Sequence, residues 1–118
     1  MPDPLSLAHA WISAFNAYDV AALVALYAPD ATHTSPKIRA MHPDTGGKLI
    51  GHAALTAWWK DSIDRIPGLR YEAVAFTANA DRAFIEYIRH ADGQPDMPVA
   101  EVFDVANGKI VASRVYHG

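Results

Sequence analysis

The chain has 118 residues, no cysteine, a hydrophobic share of 51% and a formal net charge of −3. These values predict one domain over residues 1–118 with its own core, and they exclude a disordered tail, a disulfide scaffold, a thiolate metal site, a cysteine nucleophile and a dedicated nucleic-acid binder. No apolar run has the length of a membrane span, and the N-terminus lacks a signal-peptide pattern, so we expect a cytoplasmic protein that binds neither membrane nor nucleic acid.

Two helices are predicted at the start of the chain. Asp3 can cap the first helix, after which apolar side chains recur at helical spacing and form one face. Asp19 is predicted to cap a second, shorter helix. The apolar face of that helix includes Tyr27, and Pro29-Asp30 is expected to end it.

A strand, a long irregular stretch and a third helix follow. Residues 31–35 are predicted to form a short strand that ends at Pro36. Residues 36–51 contain two prolines and two adjacent glycines, and they are expected to form an irregular loop, which is either functional or mobile at this length. The third helix is predicted over residues 52–66 and ends at Pro67-Gly68.

The rest of the chain is predicted to be strands joined by tight turns, at residues 69–77, 83–90, 99–105 and 109–117. Asn107-Gly108 between the last two is a strong hairpin signal, because both residues tolerate a positive φ. The element order predicts an α+β fold in which three helices pack against a meandering antiparallel sheet. If the sheet is strongly bent and the helices close one side, it encloses a deep pocket.

Three motifs carry a family resemblance: AFNAYD at residues 14–19, YAPDAT at residues 27–32 and GKIVASRVY at residues 108–116. With Gly51 opening the third helix, nearly the whole chain resembles the nuclear transport factor 2-like superfamily, and within it the SnoaL-like and ketosteroid-isomerase-like branch. The resemblance implies a cone-shaped α+β barrel with a pocket on the concave sheet face. Its members include isomerases, polyketide cyclases, dehydratases, epoxide hydrolases and non-catalytic binding modules, so the fold leaves the activity open.

The catalytic positions of ketosteroid isomerases match this sequence only in part. The family's general-base aspartate, just before the proline that ends the first strand, corresponds to Ser35, and a serine without a partner base cannot act as a base. The family's oxyanion tyrosine corresponds to Trp11, which has an N–H but no acidic proton. The resemblance places the protonated aspartate of the oxyanion hole near Glu101.

His33 is the first candidate for chemistry. It shares a strand face with Ser35, because side chains alternate along a strand, so both point into the pocket if one does. An ordinary pKa of about 6.5 allows histidine to act as a general base or acid at neutral pH. The alternative is a histidine that only forms hydrogen bonds at the pocket wall.

Glu101 is the second candidate. The resemblance points Glu101 and Phe103 inward, and an apolar pocket raises the pKa of a carboxyl group so that it can donate a hydrogen bond or a proton. The alternative is a structural ion pair with an arginine such as Arg89 or Arg114.

The inward faces of two further strands decide the rest of the polar site. Either Glu86 or Tyr87 faces inward. If Tyr87 does, it is a pocket residue, and the outward Glu86 could pair with Arg114. The resemblance puts Ser113 and His117 on the inward face of the last strand. His117 either reaches the far end of the pocket or, next to the end of the sequence, is solvated.

Aromatic side chains on the helices are expected to form the pocket wall: Trp11, Phe15, Tyr27, Trp58 and Trp59. The same residues would also serve as core. Neighbours on a helix point about 100° apart, so one of Trp58 and Trp59 should face the sheet, and the other should lie nearer the pocket rim or solvent.

No metal or cofactor is expected. The histidines show none of the spacings typical of zinc sites. Gly46-Gly47-Lys48 lacks the spacing of a phosphate-binding loop. Arg39, His42 and Lys48 could attract an anionic or carbonyl-bearing ligand, although a solvated loop is the favoured interpretation.

These features predict a homodimer, formed through the outer sheet face, with a pocket for a small apolar organic ligand. The leading hypothesis is an isomerase, cyclase or dehydratase in which His33 moves a proton next to a carbonyl and Glu101 stabilises the developing negative charge. The alternative is a non-catalytic binding or dimerisation module, whose pocket groups would all satisfy one another. Epoxide hydrolysis would need an Asp-Arg-Asp group that the inward positions do not supply.

Overall fold

Four α-helices and a six-stranded sheet make up the fold in the computed structural model, which describes residues 1–118. The elements are α1 Pro4–Asn16, α2 Val20–Ala25, β1 Tyr27–Thr34, α3 Pro36–Met41, a 3-10 turn Pro43–Thr45, β2 Lys48–Ile50, α4 His52–Arg65, β3 Arg70–Ala78, β4 Arg82–His90, β5 Met97–Ala106 and β6 Lys109–His117. The predicted α+β class is confirmed. None of the helices combines the length and the apolar content that crossing a membrane requires.

Both predicted N-terminal caps are confirmed. Asp3 Oδ1 accepts a hydrogen bond from the backbone N–H of Ser6 at 2.8 Å, and Asp19 Oδ1 accepts one from Ala22 at 3.0 Å. Each bond satisfies an N–H group that the first turn of a helix leaves free. The two helices therefore begin where the sequence predicted.

The first strand is longer than predicted, and Tyr27 belongs to it. α2 ends at Ala25, and β1 begins at Tyr27 rather than at residue 31. Pro29 lies inside the strand, between Tyr27 and Thr32, where the register against β6 shifts. A proline is tolerated at such an irregularity because no ladder hydrogen bond needs its missing N–H. The prediction of a helical Tyr27 was wrong because a short apolar run fits helix and strand equally well.

The stretch 36–51 is folded, which corrects the expectation of an irregular loop. Ser35 Oγ accepts a hydrogen bond from the backbone N–H of Lys37 at 3.2 Å and caps α3, with Pro36 in the first turn. Ile38 of this helix is fully buried. The strand β2 then pairs with β1 in antiparallel register. A serine followed by proline is itself a helix-start signal, which the strand-ending role of Pro36 had masked.

The sheet is strongly curved and unclosed, with strand order β2-β1-β6-β5-β4-β3. Strands β3 to β6 form the predicted antiparallel meander. Asn107 and Gly108 have φ angles of 53° and 73°, as the hairpin signal predicted. β1 lies parallel to β6, so the sheet is mixed rather than wholly antiparallel. In this pair His33 lies opposite Ser113, which brings two predicted site residues side by side.

The core lies between the helices and the sheet. α1 packs on β3, β4 and β5, while α4 packs on β1 and β2. A cluster of 22 buried hydrophobic residues joins them, and Trp11, Phe15, Leu55, Ile85 and Phe103 are among its most buried members. Helices α1 and α4 thereby cover one face of the curved sheet, and the candidate site lies beneath them.

Candidate functional site

A narrow cavity lies between α1, α4 and the curved sheet, with a volume of about 40 Å³. A single water needs about 10–15 Å³ of such space, whereas pockets for drug-sized ligands have about 300–1,000 Å³. The cavity therefore admits a ligand of a few non-hydrogen atoms, or the end of a longer one. The expectation of a deep pocket is corrected, because aromatic side chains fill most of the cone.

Trp11 is the centre of that aromatic filling. Its ring centre lies 5.7 Å from Phe15, 5.8 Å from Tyr71 and 5.3 Å from Phe103. Tyr71 in turn stacks on Phe15 at 3.9 Å and on Tyr87 at 4.3 Å. Trp11 and Phe15 are four residues apart on α1 and so face the sheet together. Tyr71 joins them because β3 curves over α1.

Nine of the residues predicted for the site line this cavity: Trp11, Phe15, His33, Ser35, Trp58, Trp59, Tyr87, Glu101 and His117. Tyr27, Phe103 and Ser113 do not line it; they are almost fully buried and contact the lining from behind. Sequence reasoning missed Lys37, Tyr71 and Arg89, which also line the cavity. Arg89 lies two residues from Tyr87 on the same strand and therefore on the same face, so its position would have followed had the inward face of β4 been known.

Glu101 is fully buried on β5, and its two carboxyl oxygens have different surroundings. Oε1 accepts a hydrogen bond from the Tyr87 hydroxyl at 2.8 Å. Oε2 is the only buried side-chain polar atom in the chain without a hydrogen-bond partner. Burial raises the pKa of Glu101 to about 8, although the Tyr87 hydrogen bond acts in the other direction. At neutral pH the group is therefore a neutral acid with one O–H to donate.

His33 lies beside Glu101, at the interface of β1 and β6. Its Nδ1 is 2.6 Å from Ser113 Oγ and 4.0 Å from Glu101 Oε2. Burial lowers the pKa of His33 to about 3, so the ring is neutral at physiological pH. The distance to Glu101 would suit an ion pair, but the directions of the two pKa shifts leave both groups uncharged. The contact therefore joins two neutral groups.

Hydroxyl groups link His33 to α1. Trp11 Nε1 donates a hydrogen bond to the Tyr27 oxygen at 3.1 Å, and that hydroxyl lies 2.8 Å from Ser113 Oγ. Because an indole N–H can only donate, one arrangement runs from Trp11 through Tyr27 and Ser113 to His33 Nδ1, and it uses every proton. In the other arrangement Nδ1–H donates to Ser113, which turns its own proton to Tyr27. Interconversion requires both hydroxyls to rotate and the imidazole proton to move between Nε2 and Nδ1.

The open question of strand β4 is settled by burial. Tyr87 is buried and faces the cavity, while Glu86 is exposed on the outer sheet face. Glu86 does not pair with Arg114, whose Nη1 instead donates to Asp104 Oδ2 at 2.7 Å. Glu101 forms no ion pair with either arginine that the alternative interpretation named. The ion-pair explanations of both glutamates were therefore wrong.

Both tryptophans of α4 are buried, with 8% of Trp58 and 3% of Trp59 exposed. The Trp59 ring centre lies 5.1 Å from His33 and 5.2 Å from Tyr27, both on the sheet. Trp58 lies 6.1 Å from the His42 ring and separates the cavity from a groove outside it. Trp59 thus faces the sheet and Trp58 lies towards the rim.

Basic side chains surround the mouth of the cavity, which we define by Lys37, Arg89 and His117. Arg89 is only 6% exposed, and its Nη1 donates to Gln94 Oε1 at 2.8 Å. His117 is exposed at the rim, and partial burial together with the charges of Lys37 and Arg89 lowers its pKa.

One further set of residues named from the sequence lies away from the cavity lining. Arg39, His42 and Lys48, named as possible attractors of a ligand, are not part of the lining. No group of three or more His, Cys, Asp or Glu side chains is arranged to hold a metal ion.

The SnoaL-like domain family model matches residues 8–113 of the chain. No curated protein sequence matches it. A SnoaL-like protein of unknown function from Burkholderia thailandensis is 26% identical, with a TM-score of 0.84 over 98% of this chain and 94% of the other. A candidate polyketide cyclase from Pseudomonas putida is 23% identical, with a TM-score of 0.77 over 100% and 93%. A candidate ketosteroid isomerase from Kribbella flavida is 14% identical, with a TM-score of 0.81 over 98% and 77%.

Proposed function

Since this chain belongs to the SnoaL-like domain family, as its motifs implied, we propose that it is a proton-transfer enzyme of the isomerase, cyclase or dehydratase kind. Its substrate is a small carbonyl compound with an apolar body that fits among the aromatic rings. The observation that carries the proposal is the unpartnered Oε2 of Glu101, fully buried and 4.0 Å from His33 Nδ1.

The two groups have the protonation states that an acid and a base require. The pKa of Glu101 is raised to about 8 and that of His33 is lowered to about 3, so at neutral pH the first holds a proton and the second can accept one. Titratable neighbours whose pKa values are pushed apart in this way are typical of acid–base assignments in enzymes. Glu101 is the hydrogen-bond donor to the carbonyl oxygen, and His33 is the base.

The reaction begins when the substrate carbonyl oxygen accepts a hydrogen bond from Glu101 Oε2. In the arrangement with the imidazole proton on Nδ1, His33 Nε2 is free to take a proton from the carbon next to the carbonyl, and the electron pair of the broken C–H bond forms an enol or enolate. The positive charge on His33 is stabilised because Nδ1–H donates to Ser113, which turns its proton to Tyr27. When the Ser113 hydroxyl rotates in this way, the hydroxyl proton of Tyr27 has no acceptor, which costs about 1–3 kcal/mol. Return of the proton to another carbon completes an isomerisation.

The alternative of a non-catalytic binding module is less well supported. It predicts pocket groups that satisfy one another and do not converge on one point. Glu101 Oε2 has no partner, and it lies next to His33 beneath the same helices. An unmade hydrogen bond of a buried group costs about 1–3 kcal/mol, which favours a ligand that makes it.

We expect the protein to accelerate exchange of hydrogen for deuterium next to the carbonyl of small ketones and keto acids in D₂O, followed by NMR. Glu101→Gln and His33→Ala should each lower the rate by about 10²–10⁴-fold, the usual contribution of general acid–base catalysis. The wild-type rate should fall as the pH rises above about 8, because Glu101 then loses its proton.

Glu86→Gln is the matched control, because it removes an exposed carboxylate on the outer face of the same sheet. It should leave the exchange rate unchanged. Full exchange activity in folded Glu101→Gln or His33→Ala protein would remove the corresponding assignment. Circular dichroism of each variant separates loss of chemistry from loss of fold.

We also propose a homodimer formed through the outer sheet face. Val74, Phe84 and Tyr116 expose 63%, 37% and 55% of their surface there. A shallow hollow of about 280 Å³ lies beside Val74, Ala100 and Tyr116. Exposed apolar patches of this kind favour contact with a second protein surface, and a two-fold axis would pair the patch with itself.

Sedimentation velocity should therefore give the mass of a dimer for the wild-type protein. Ala100→Arg, in the hollow, should shift the mass to that of a monomer because it places a charge in an apolar contact. Ala80→Arg, in the exposed β3–β4 turn, is the control and should remain dimeric. A monomeric wild-type protein, or a dimeric Ala100→Arg variant, would contradict this interface.

A further inference from the structure

The cavity lining carries an unbalanced positive charge. Lys37 and Arg89 both line it, and neither forms an ion pair with any carboxylate of the chain. The only acidic side chain in the lining is Glu101, which the geometry and pKa described above leave neutral. The chain as a whole has a net charge of −3, so this local excess of cations is not a property of the whole surface.

Arg89 is the more informative of the two cations. Only 6% of its surface is exposed, yet its one hydrogen bond within the protein goes to the neutral Gln94. A guanidinium has five N–H donors, so several of those on Arg89 bind no protein acceptor. None of its nitrogens is both buried and unpartnered, so these donors stay accessible to a ligand at the cavity. A guanidinium that lines a cavity and has no counter-ion in the protein is suited to bind an anion there.

Lys37 strengthens the same field. It is half-buried at the start of α3, which Ser35 holds against the cavity by capping the helix. After burial, the charge of Arg89 is the next cause of the lowered pKa of Lys37, so the two cations repel each other. An anion between them would relieve this repulsion. A planar carboxylate suits Arg89 best, because it can accept two parallel hydrogen bonds from the guanidinium fork.

We infer that the ligand of this site carries a carboxylate, which Arg89 and Lys37 bind at the mouth of the cavity while its carbonyl end points inward to Glu101. The carbonyl half of this inference rests on the function proposed above. The substrate class is thus a small keto acid. This replaces the expectation of a wholly apolar ligand with one that is apolar only in its middle.

The test compares 4-oxopentanoate with its neutral amide, 4-oxopentanamide, by NMR titration of the wild-type protein. The acid should bind at least about tenfold more tightly than the amide, the ratio that one charge-assisted pair typically gives. The preference should weaken with added salt. Equal affinity for the two compounds, or tighter binding of the amide, would overturn the inference without any variant being needed.

Variants then locate the anion. Arg89→Gln should lower the affinity for the acid by about tenfold or more and leave the affinity for the amide unchanged, and Lys37→Gln should have the same effect in smaller measure. Arg70→Gln and Lys60→Gln are matched controls, because both residues are exposed and form no ion pair. An undiminished preference for the acid in both Arg89→Gln and Lys37→Gln would contradict the assignment. Arg89→Lys, which keeps the charge, guards against loss of fold.

Binding and chemistry can fail separately. Glu101→Gln should keep the preference for the acid while losing deuterium exchange. Binding of the acid without any exchange in the wild-type protein would overturn the proposed proton transfer and leave the carboxylate site standing. Exchange in neutral ketones together with equal affinity for acid and amide would overturn the carboxylate site and leave the proposed proton transfer standing.

Discussion

Replacing Glu101 with glutamine is expected to make the folded protein more stable at pH 8, by on the order of 4 kcal/mol. Glu101 has a pKa of about 8 in the folded chain, against an ordinary value of 4.5. Below the ordinary value both the folded and the unfolded chain hold the proton, and the fold has its full stability. As the pH rises from 4.5 to 8 only the unfolded chain releases the proton, so the free energy of unfolding falls. Glutamine does not ionise and can still accept the Tyr87 hydrogen bond.

Urea denaturation of both proteins between pH 6.5 and pH 9 measures this effect. The range begins at pH 6.5 because the pKa of His33 falls from 6.5 to about 3 on folding. The contribution of His33 to stability is therefore complete above pH 6.5 and is lost progressively as the pH falls towards 3. The advantage of Glu101→Gln over the wild type should grow by about 2 kcal/mol from pH 6.5 to pH 8. Glu86→Gln should show no such growth. Parallel stability curves for Glu101→Gln and the wild type would show that Glu101 is not a neutral acid.

Replacing Trp11 with alanine is expected to lower the free energy of unfolding by about 3–5 kcal/mol, the usual cost of removing a large buried aromatic side chain. Trp11 is 1% exposed and contacts the rings of Phe15, Tyr71 and Phe103. Its loss also leaves Tyr27 without its indole donor. Thermal or urea denaturation checks this value.

Trp11→Phe separates packing from hydrogen bonding. Phenylalanine keeps a ring in the stack but has no N–H, so we expect it to cost about 1–3 kcal/mol. If Trp11→Ala cost no more than Trp11→Phe, the aromatic cluster would not be the centre of the core. A loss of exchange activity in Trp11→Phe at retained stability would point to the hydroxyl chain that ends at His33.

Much of the fold could be predicted because its signals are local. Asp3 and Asp19 begin helices through side-chain bonds to residues three positions away, and Asn107-Gly108 needs only its own backbone angles. The shared strand face of His33 and Ser35 followed from alternation alone. Tyr27 was misplaced because local apolar spacing could not distinguish a short helix from a strand that begins at an irregular register.

The electrostatics of the site could not be predicted, because they depend on neighbours far apart in the sequence. Glu101 meets Tyr87 from one strand and His33 from another, and only their joint burial leaves Oε2 without a partner. Arg89 illustrates the same limit, because alternation places it on the face of Tyr87 but the sequence left open which face of β4 is inward. Arg89 is buried and forms no ion pair with any carboxylate, and both facts depend on the three-dimensional structure.

A cavity of about 40 Å³ behind a cationic rim limits the size of the part of a ligand that can enter it. In the inferred binding mode the carboxylate lies at the mouth, so any group on the far side of the carbonyl must fit inside the cavity. Keto acids with a short group beyond the carbonyl should therefore bind more tightly than those with a bulky one. Enlarging the cavity would require removing an aromatic ring that also packs in the core. Ligand recognition and folding therefore depend on the same side chains.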